Sequence, residues 1–375
     1  MASWDTDTIE AMESIVMTAM PSVTLVDPNP IAGIANVDTS IEWWNMAKPA
    51  YDDCGDPNFL DEDGDLIEGI YFDMPNEVYH SLKAHSSTGF KKFAKSGAHY
   101  AREYVYTELK KAITKVQQRT FDTGSVTHAM ILEPHNVDSQ FTPRIEADDV
   151  DGCLVTQADL KKKCEELGLA VSGTKEELAK RLLNADPNVK ILAVLQAQQE
   201  EYAKAKGLQV VDKVVFQKAT RATKTVQAEP AATFLIDHSM GFAEVSFIAR
   251  CPKTGLMLKC RFDWLDKRRF ATDVKTAADA SDRKVFFQMR DLRYDLQQVH
   301  YSYVASLCGV PLALFAFCYV EFEAADICEV YDLHPLSVKK AEAEYHAMLP
   351  QFASALETQV FDGYTPKGTV TTIML

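Results

Sequence analysis

The chain has 375 residues, of which 47% are hydrophobic, so it can form one large domain or two smaller domains with a sizeable core. It has no run of about 18 apolar residues and no signal-peptide pattern at its first residues, so we expect a soluble intracellular protein without a membrane partner. The formal net charge of −15 argues against a polyanion-binding protein, because phosphate neutralisation requires Lys and Arg, unless the charge is unevenly distributed along the chain.

The negative charge is concentrated in the N-terminal part of the chain. Residues 1–80 contain seventeen acidic residues and one basic residue, whereas the remainder contains 37 acidic and 38 basic residues. We therefore predict an acidic extension over residues 1–60, with an amphipathic helix at 7–20 and a loop at 21–36. A partner-binding arm and a negatively charged cover over a DNA channel both fit this composition. The eight cysteines contain no C-x-x-C pair, so neither a zinc site nor a disulfide framework is expected.

After a predicted strand at 69–73, two helices carry polar residues of interest. Residues 86–106 form a predicted helix that begins with Ser86 and Thr88 and carries Lys91. These hydroxyls fit ordinary helix capping and phosphate binding equally well. Residues 121–133 form an apolar helix that contains His128, and a lone histidine on such a face is more often a core residue than a ligand.

Residues 151–186 have the pattern of two short helices joined by an extended segment. Thr174 and Glu177 form a predicted capping box at the start of the second helix. The pattern resembles a SAP motif, a helix-extension-helix module that binds duplex DNA. In that interpretation Lys175, Lys180 and Arg181 contact phosphates, whereas the alternative is a two-helix structural insertion.

Two further helices are predicted at 187–205 and 214–228. The second carries Lys218, Arg221 and Lys224 at helical spacing. This basic row is either a solvated face or part of the wall of a duplex channel.

A predicted β-hairpin carries the residues with the clearest chemistry. Asp263 ends an apolar strand, residues 266–269 form the turn, and Asp273 and Lys275 follow on the returning strand. Because side chains i and i+2 share one face, Asp273 and Lys275 lie together while Val274 packs into the opposite core. Two carboxylates beside an ammonium can hold a divalent cation and activate water. This spacing alone is weak evidence, since charges at the mouth of a hairpin are usually solvated.

The hairpin is flanked by elements that can complete a site. Glu244 lies in the preceding strand, at 241–248, and Gln297 and Tyr301 lie one helical turn apart in the helix that follows residue 293. Strands are predicted at 311–322 and 331–333, and a closing helix at 337–356.

Taken in order, Glu244, Asp263, the run Asp273-Val274-Lys275 and the pair Gln297 and Tyr301 resemble the core of the PD-(D/E)XK nucleases. The similarity is to the RecE (exonuclease VIII) branch, with lambda exonuclease as a more distant relative, and it extends upstream through residues 68–80, 86–91 and 124–134. The resemblance implies an α/β fold with a restriction-endonuclease-like core, in which helices flank a mixed central sheet. The core is expected over residues 61–150 and 187–375, with the SAP-like insertion at 151–186.

The resemblance also implies roles for single residues. Asp263, Asp273 and the Val274 carbonyl are expected to ligate Mg²⁺, for which Mn²⁺ can substitute, and Lys275 to orient the attacking water. His128 and Glu244 are expected to complete or support the metal site. Gln297 and Tyr301 are expected to hold the water, Lys275 or a phosphate. Ser86, Thr88 and Lys91 are expected to contact the DNA.

The implied activity is 5′→3′ exonuclease digestion of linear double-stranded DNA, leaving 3′ single strands for recombination. The implied partners are duplex DNA, a single-strand annealing protein and further copies of the chain in a ring. The implied location is the cytoplasm of a bacterial host, if the protein is phage-encoded. A structure-specific or restriction-like endonuclease and a non-catalytic DNA-binding scaffold remain alternatives on the same fold.

Overall fold

The computed structural model describes residues 41–106, 108, 115–365, 368–372 and 374. The predicted helix at 7–20 and loop at 21–36 lie outside these residues. None of the helices within the described ranges has the length and apolar character needed to cross a membrane.

A mixed sheet forms the centre of the fold. The strands are β1 (Lys48–Pro49), β2 (Gly69–Phe72), β3 (Phe141–Pro143), β4 (Gln209–Val211), β5 (Gly241–Arg250), β6 (Met257–Asp266), β7 (Phe270–Ala277), β8 (Leu314–Glu321) and β9 (Ile327–Asp332). Seven of them form one sheet in the order β1-β2-β5-β6-β7-β8-β9, and β3 pairs with β4. The β1/β2 and β7/β8 pairs are parallel and the other pairs of the large sheet are antiparallel. The α/β class with a mixed central sheet is therefore confirmed.

Helices cover both faces of this sheet. In chain order, the helices of the described residues are α1 (Asn76–Ser81), α2 (Ser87–Lys95), α3 (Gly97–Tyr104), α4 (Lys115–Leu132), α5 (Val137–Gln140), α6 (Gln157–Glu166), α7 (Lys175–Ala185), α8 (Leu192–Lys206), α9 (Lys213–Ala228), α10 (Pro230–Leu235), α11 (Asp282–Asp291), α12 (Tyr294–Leu307) and α13 (Pro335–Thr358). One face packs against α2, α12 and α13 around Phe90, Phe247 and Tyr345. The other packs against α4, α9 and α10 around Trp264 and Val274.

The N-terminal boundary predicted at residue 60 does not match the packing. Trp43 is fully buried in the main core, and its indole N–H donates a 2.9 Å hydrogen bond to the carbonyl of Asp266. Strand β1 adds to the edge of the central sheet. The acidic composition of this region predicted an extension outside the core, but the region contains the core residue Trp43. The compact fold therefore begins within the predicted extension.

Two predicted helices have different bounds in the structure. Residues 86–106 form α2 and α3 instead of one helix, because Ser96 has an extended backbone and its hydroxyl accepts the amide of His99. A Cβ atom at Gly97 would lie 3.1 Å from the backbone nitrogen of Asp362. The C-terminal segment at Asp362 therefore lies close to the break between α2 and α3. The helix predicted from residue 187 begins at Leu192, since Ile191 first pairs with Leu154 in an isolated bridge.

The insertion folds as two helices with a small core of its own. Helices α6 and α7 both begin with complete capping boxes, at Thr156 and at Thr174. Leu160, Leu178 and Leu182 are fully buried between them. Burial of three such side chains is worth several kcal/mol, at about 1.5–3 kcal/mol each.

Candidate active site

Three acidic residues lie in one row across three neighbouring strands. In the β5/β6 register, Ala243 pairs with Trp264 and Val245 pairs with Phe262. Glu244 therefore lies opposite Asp263, at a position where the pairing is interrupted. In the β6/β7 register, Trp264 pairs with Thr272. The next position in that register places Asp263 opposite Asp273.

The backbone is distorted where the row begins. Glu244 has a φ of 49°, in the left-handed region that a residue with a Cβ atom rarely adopts. Such a conformation costs on the order of 1–3 kcal/mol and persists only where the surrounding structure imposes it. Burial, followed by the charge of Asp263, raises the pKa of Glu244 to about 8.

Asp263 takes part in the backbone pairing through its side chain. Its Oδ2 atom accepts a 2.8 Å hydrogen bond from the amide of Val274 and lies 3.6 Å from Nδ1 of His128. Burial and the neighbouring Asp273 raise the pKa of Asp263. The carboxylates of Glu244 and Asp263 are thus both destabilised in their charged forms.

This cluster fits a divalent cation. Among the described residues, His128, Glu244 and Asp263 form a group whose potential ligand atoms all lie within 4.8 Å of one another. Desolvation and repulsion from neighbouring carboxylates raise the pKa values of both acids although Arg261 and His128 lie nearby, and a cation between the two acids would offset that repulsion. Carboxylate oxygens suit Mg²⁺ and Mn²⁺, and an imidazole nitrogen is also a common ligand of transition metals.

Asp273 lies beside this group but is held by other partners. Its Oδ1 atom accepts a 2.5 Å hydrogen bond from the amide of Gln297, and its Oδ2 atom forms an ion pair with Lys275. Burial disfavours the charged form of Lys275, but Asp273 and further neighbouring groups outweigh burial and raise its pKa. Lys275 is therefore held as a cation. Among the described residues, Asp273 is not part of the group around His128. Its assignment as a metal ligand, implied by the resemblance, stays a prediction.

Val274 occupies the position that strand alternation predicts. Its side chain is fully buried on the opposite face of the sheet from Asp273 and Lys275. Its amide binds Asp263, and the assignment of its carbonyl as a metal ligand stays a prediction.

A second lysine approaches the site from α2. Nζ of Lys91 donates a 3.1 Å hydrogen bond to Oε1 of Gln297, and it lies 4.9 Å from the ring centre of Tyr294. Nζ of Lys275 lies 4.8 Å from the same ring. Burial and the charge of Lys275 lower the pKa of Lys91 to about 8.

These side chains open onto a cleft of about 780 Å³. The lining residues that carry charge are Lys91, Lys92, Lys95, Asp263, Asp273, Lys275, Asp291 and Arg293. Thr88 lines the cleft, as does Ser87, which the sequence interpretation had not selected. Ser86 does not line it and forms no side-chain capping bond with α2. The cleft therefore combines a buried acidic floor with a cationic wall on α2.

Tyr301 lines the same cleft one turn after Gln297, as predicted for a shared face. Its ring packs edge-to-face on Phe262 at 5.2 Å and on Phe315 at 5.9 Å. Burial raises the pKa of its hydroxyl well above the usual value.

The predicted DNA contacts of the insertion are separate from this site. Lys175, Lys180 and Arg181 are not among the residues that line the cleft. Arg181 also folds back on the extended segment, where its guanidinium binds the carbonyls of Ala170 and Ser172. This contact gives Arg181 a structural role within the insertion.

The basic row on α9 is engaged by acidic residues. Lys218 pairs with Glu323, and Arg221 pairs with Asp326 at 2.9 Å. Both acids belong to the turn between β8 and β9. The pairing favours a structural face over a channel wall for these two cations.

Sequence reasoning missed one buried cation at the site. Arg261 is 7% exposed, and its Nη1 atom lies 3.7 Å from Oε2 of Glu244. The available signal was its place two residues before Asp263 on the same strand, which puts both side chains on one face.

Comparisons with known proteins find one matching family and a similar crystal structure. The family described as "PDDEXK-like domain of unknown function (DUF3799)" matches residues 86–367. A crystal structure described as a "Putative exonuclease" from Eubacterium rectale is similar at 12% sequence identity, with 81% of this chain and 96% of that chain covered and a TM-score of 0.47. No curated protein matches the chain.

Proposed function

This chain belongs to the family of PDDEXK-like domains DUF3799, and from that premise we propose that it is a metal-dependent deoxyribonuclease. The observation that carries the proposal is the row of Glu244, Asp263 and Asp273, in which Asp263 and Asp273 line a cleft together with Lys275 and a cationic wall. Such an arrangement suits phosphodiester hydrolysis, because the acids can hold a cation and the lysines can stabilise charge on the phosphate.

His128, Glu244 and Asp263 are the proposed metal ligands. A bound Mg²⁺ or Mn²⁺ ion supplies Lewis acidity at the scissile phosphate. Asp273 holds Lys275 in its charged form, so the ammonium can donate a hydrogen bond to the attacking water or to a phosphate oxygen. Gln297 donates a hydrogen bond to the other carboxylate oxygen of Asp273.

The finer proposal is 5′→3′ exonuclease action on linear duplex DNA that leaves 3′ single strands for recombination. Lys91, which lines the cleft from α2, is proposed to bind a phosphate that enters it. Lys175 and Lys180 of the SAP-like insertion are proposed to bind the duplex outside it. Residues 81–375 have almost no net charge, so enclosure by a ring of subunits would help to retain the DNA. A single-strand annealing protein is the proposed recipient of the product.

Cleavage of end-labelled linear and closed-circular duplex, with Mg²⁺, Mn²⁺ or EDTA, tests this function. We expect metal-dependent loss of the linear substrate, an intact circle and no activity in Asp263→Asn. Asp332→Asn, an exposed carboxylate on β9, is the control and should retain activity. Cleavage of the circle would identify an endonuclease, and DNA binding without cleavage would identify a scaffold. Activity in EDTA or in Asp263→Asn would contradict the proposed metal site.

A further inference from the structure

Glu244 is poorly fixed by its own strand. The pairing of β5 with β6 is interrupted at this residue, and its φ of 49° departs from strand geometry. Its carboxylate also faces the like charge of Asp263, which favours an orientation away from the proposed metal position. Regular strand pairing therefore does not fix the direction of this carboxylate.

Arg261 is the buried cation next to this carboxylate. Its Nη1 atom lies 3.7 Å from Oε2 of Glu244. Its Nε atom donates a 3.0 Å hydrogen bond to the hydroxyl of Ser246, and its Nη2 atom donates a 2.8 Å hydrogen bond to the carbonyl of Met74. The guanidinium also lies 4.2 Å from the ring centre of Tyr79. Arg261 is thus fixed on several sides and cannot follow the carboxylate if it moves.

The segment that fixes Arg261 is part of the sequence resemblance, but the resemblance gave it no role. Residues 68–80 belong to the nuclease resemblance, yet none of them is assigned to the chemistry. Met74 and Tyr79 contact Arg261 directly. Lys259 attaches the same segment to the sheet, because its ammonium binds the carbonyls of Tyr79 at 2.7 Å and Leu82 at 3.0 Å.

We propose that Arg261 is a positioning residue that holds the Glu244 carboxylate toward Asp263 and His128, and that residues 74–82 serve to hold Arg261. The proposal rests on the metal site of the proposed function. It assigns Arg261 no contact with the DNA or with the reacting atoms.

Lys259 provides a matched control for this role. It is buried on the same strand and face, 5% exposed, and it binds the same segment and the same tyrosine ring as Arg261. Its ammonium is engaged by backbone carbonyls of that segment. Loss of either cation loosens the segment, but loss of Arg261 also releases Glu244.

Mn²⁺ binding to the purified chain without DNA, measured by calorimetry, separates the two roles. We expect Arg261→Met to weaken Mn²⁺ binding about tenfold or more, the usual effect of removing a group that orients a metal ligand. Lys259→Met should remain within about threefold of the wild type, although both variants lower the melting temperature. Arg261→Lys keeps the charge but lacks the planar fork, so an intermediate loss is expected.

Several outcomes would overturn the proposal. Wild-type affinity in Arg261→Met would show that Glu244 needs no support, and tighter binding would show that the arginine competes with the ion. Equal losses of Mn²⁺ affinity in Arg261→Met and Lys259→Met would show that both residues have only a structural role. If Arg261→Met does not fold, wild-type affinity in Arg261→Lys is the contradicting result. If the wild type binds Mn²⁺ but does not cleave DNA, the proposed nuclease function is contradicted and the role of Arg261 is not. If the wild type does not bind Mn²⁺, the nuclease function and the role of Arg261 are both contradicted.

Discussion

The side-chain amide of Gln297 donates a 2.5 Å hydrogen bond to Oδ1 of Asp273, which joins α12 to β7 at the floor of the cleft. The carbonyl oxygen of the same amide accepts a hydrogen bond from Lys91 on α2. One side chain therefore orients the acid that holds Lys275 and also links it to the cationic wall.

Gln297→Met removes both hydrogen bonds while keeping a similar volume. Hydrogen bonds to charged groups contribute about 1.5–3 kcal/mol, so we expect kcat to fall by roughly 10–100-fold. The measurement is steady-state cleavage of linear duplex. Gln298→Met is the control, because Gln298 is the next residue on the helix and does not line the cleft. Equal kinetics in the two variants would show that the amide does not organise the site.

Lys91 should make DNA binding dependent on pH. Its pKa is lowered to about 8, so it is mostly charged at pH 7 and loses most of its charge by pH 9. We expect KM for DNA to rise by up to about tenfold over this range. Lys91→Arg remains charged and should flatten the change, whereas Lys91→Met should have a high KM at both values. If Lys91→Arg shows the same dependence of KM on pH as the wild type, another group is responsible for the pH dependence.

The same shift has a consequence for stability, with the sign set by linkage. A lysine whose pKa is lower in the folded state than in the unfolded state binds fewer protons when folded between pH 8 and its unfolded value. Its contribution to stability therefore rises with pH in that window.

The local part of the site could be predicted from the sequence. Strand alternation alone puts Asp273 and Lys275 on one face and Val274 on the other, and the structure has this arrangement. The turn at residues 266–269 follows from the same pattern and is also present. Such features depend on neighbours in the chain, which a sequence displays directly.

The remaining features depend on contacts between distant segments. The interrupted pairing at Glu244, the support of Arg261 by Met74 and the position of Trp43 under the sheet join residues far apart in the chain. No local pattern carries this information. The hydrogen bond from Gln297 to Asp273 joins distant segments in the same way. The assignment of Asp273 as a metal ligand stays a prediction.

The SAP-like insertion can be tested through the salt dependence of duplex binding. If Lys175 and Lys180 contact phosphates, the double variant Lys175→Ala, Lys180→Ala should reduce the slope of log K against log salt by about two units. Turnover at saturating DNA should be unchanged, since neither residue lines the cleft. Arg181→Ala should instead lower the stability of the insertion, because Arg181 binds its backbone carbonyls. An unchanged slope in the double variant would indicate a structural insertion.

Two truncations separate the acidic residues that the fold needs from those that it does not. Removal of residues 1–60 deletes Trp43 and β1, and loss of a buried tryptophan alone costs about 3–5 kcal/mol, so we expect a large fall in melting temperature. Removal of residues 1–40 leaves both in place and should preserve the melting temperature.

Because residues 1–40 contain six acidic residues and no basic ones, a cover over the DNA cleft predicts tighter DNA binding after their removal, most clearly at low salt where screening is weak. Unchanged affinity at low salt would favour the partner-binding arm, and equal melting temperatures for the two truncations would contradict the structural role of Trp43.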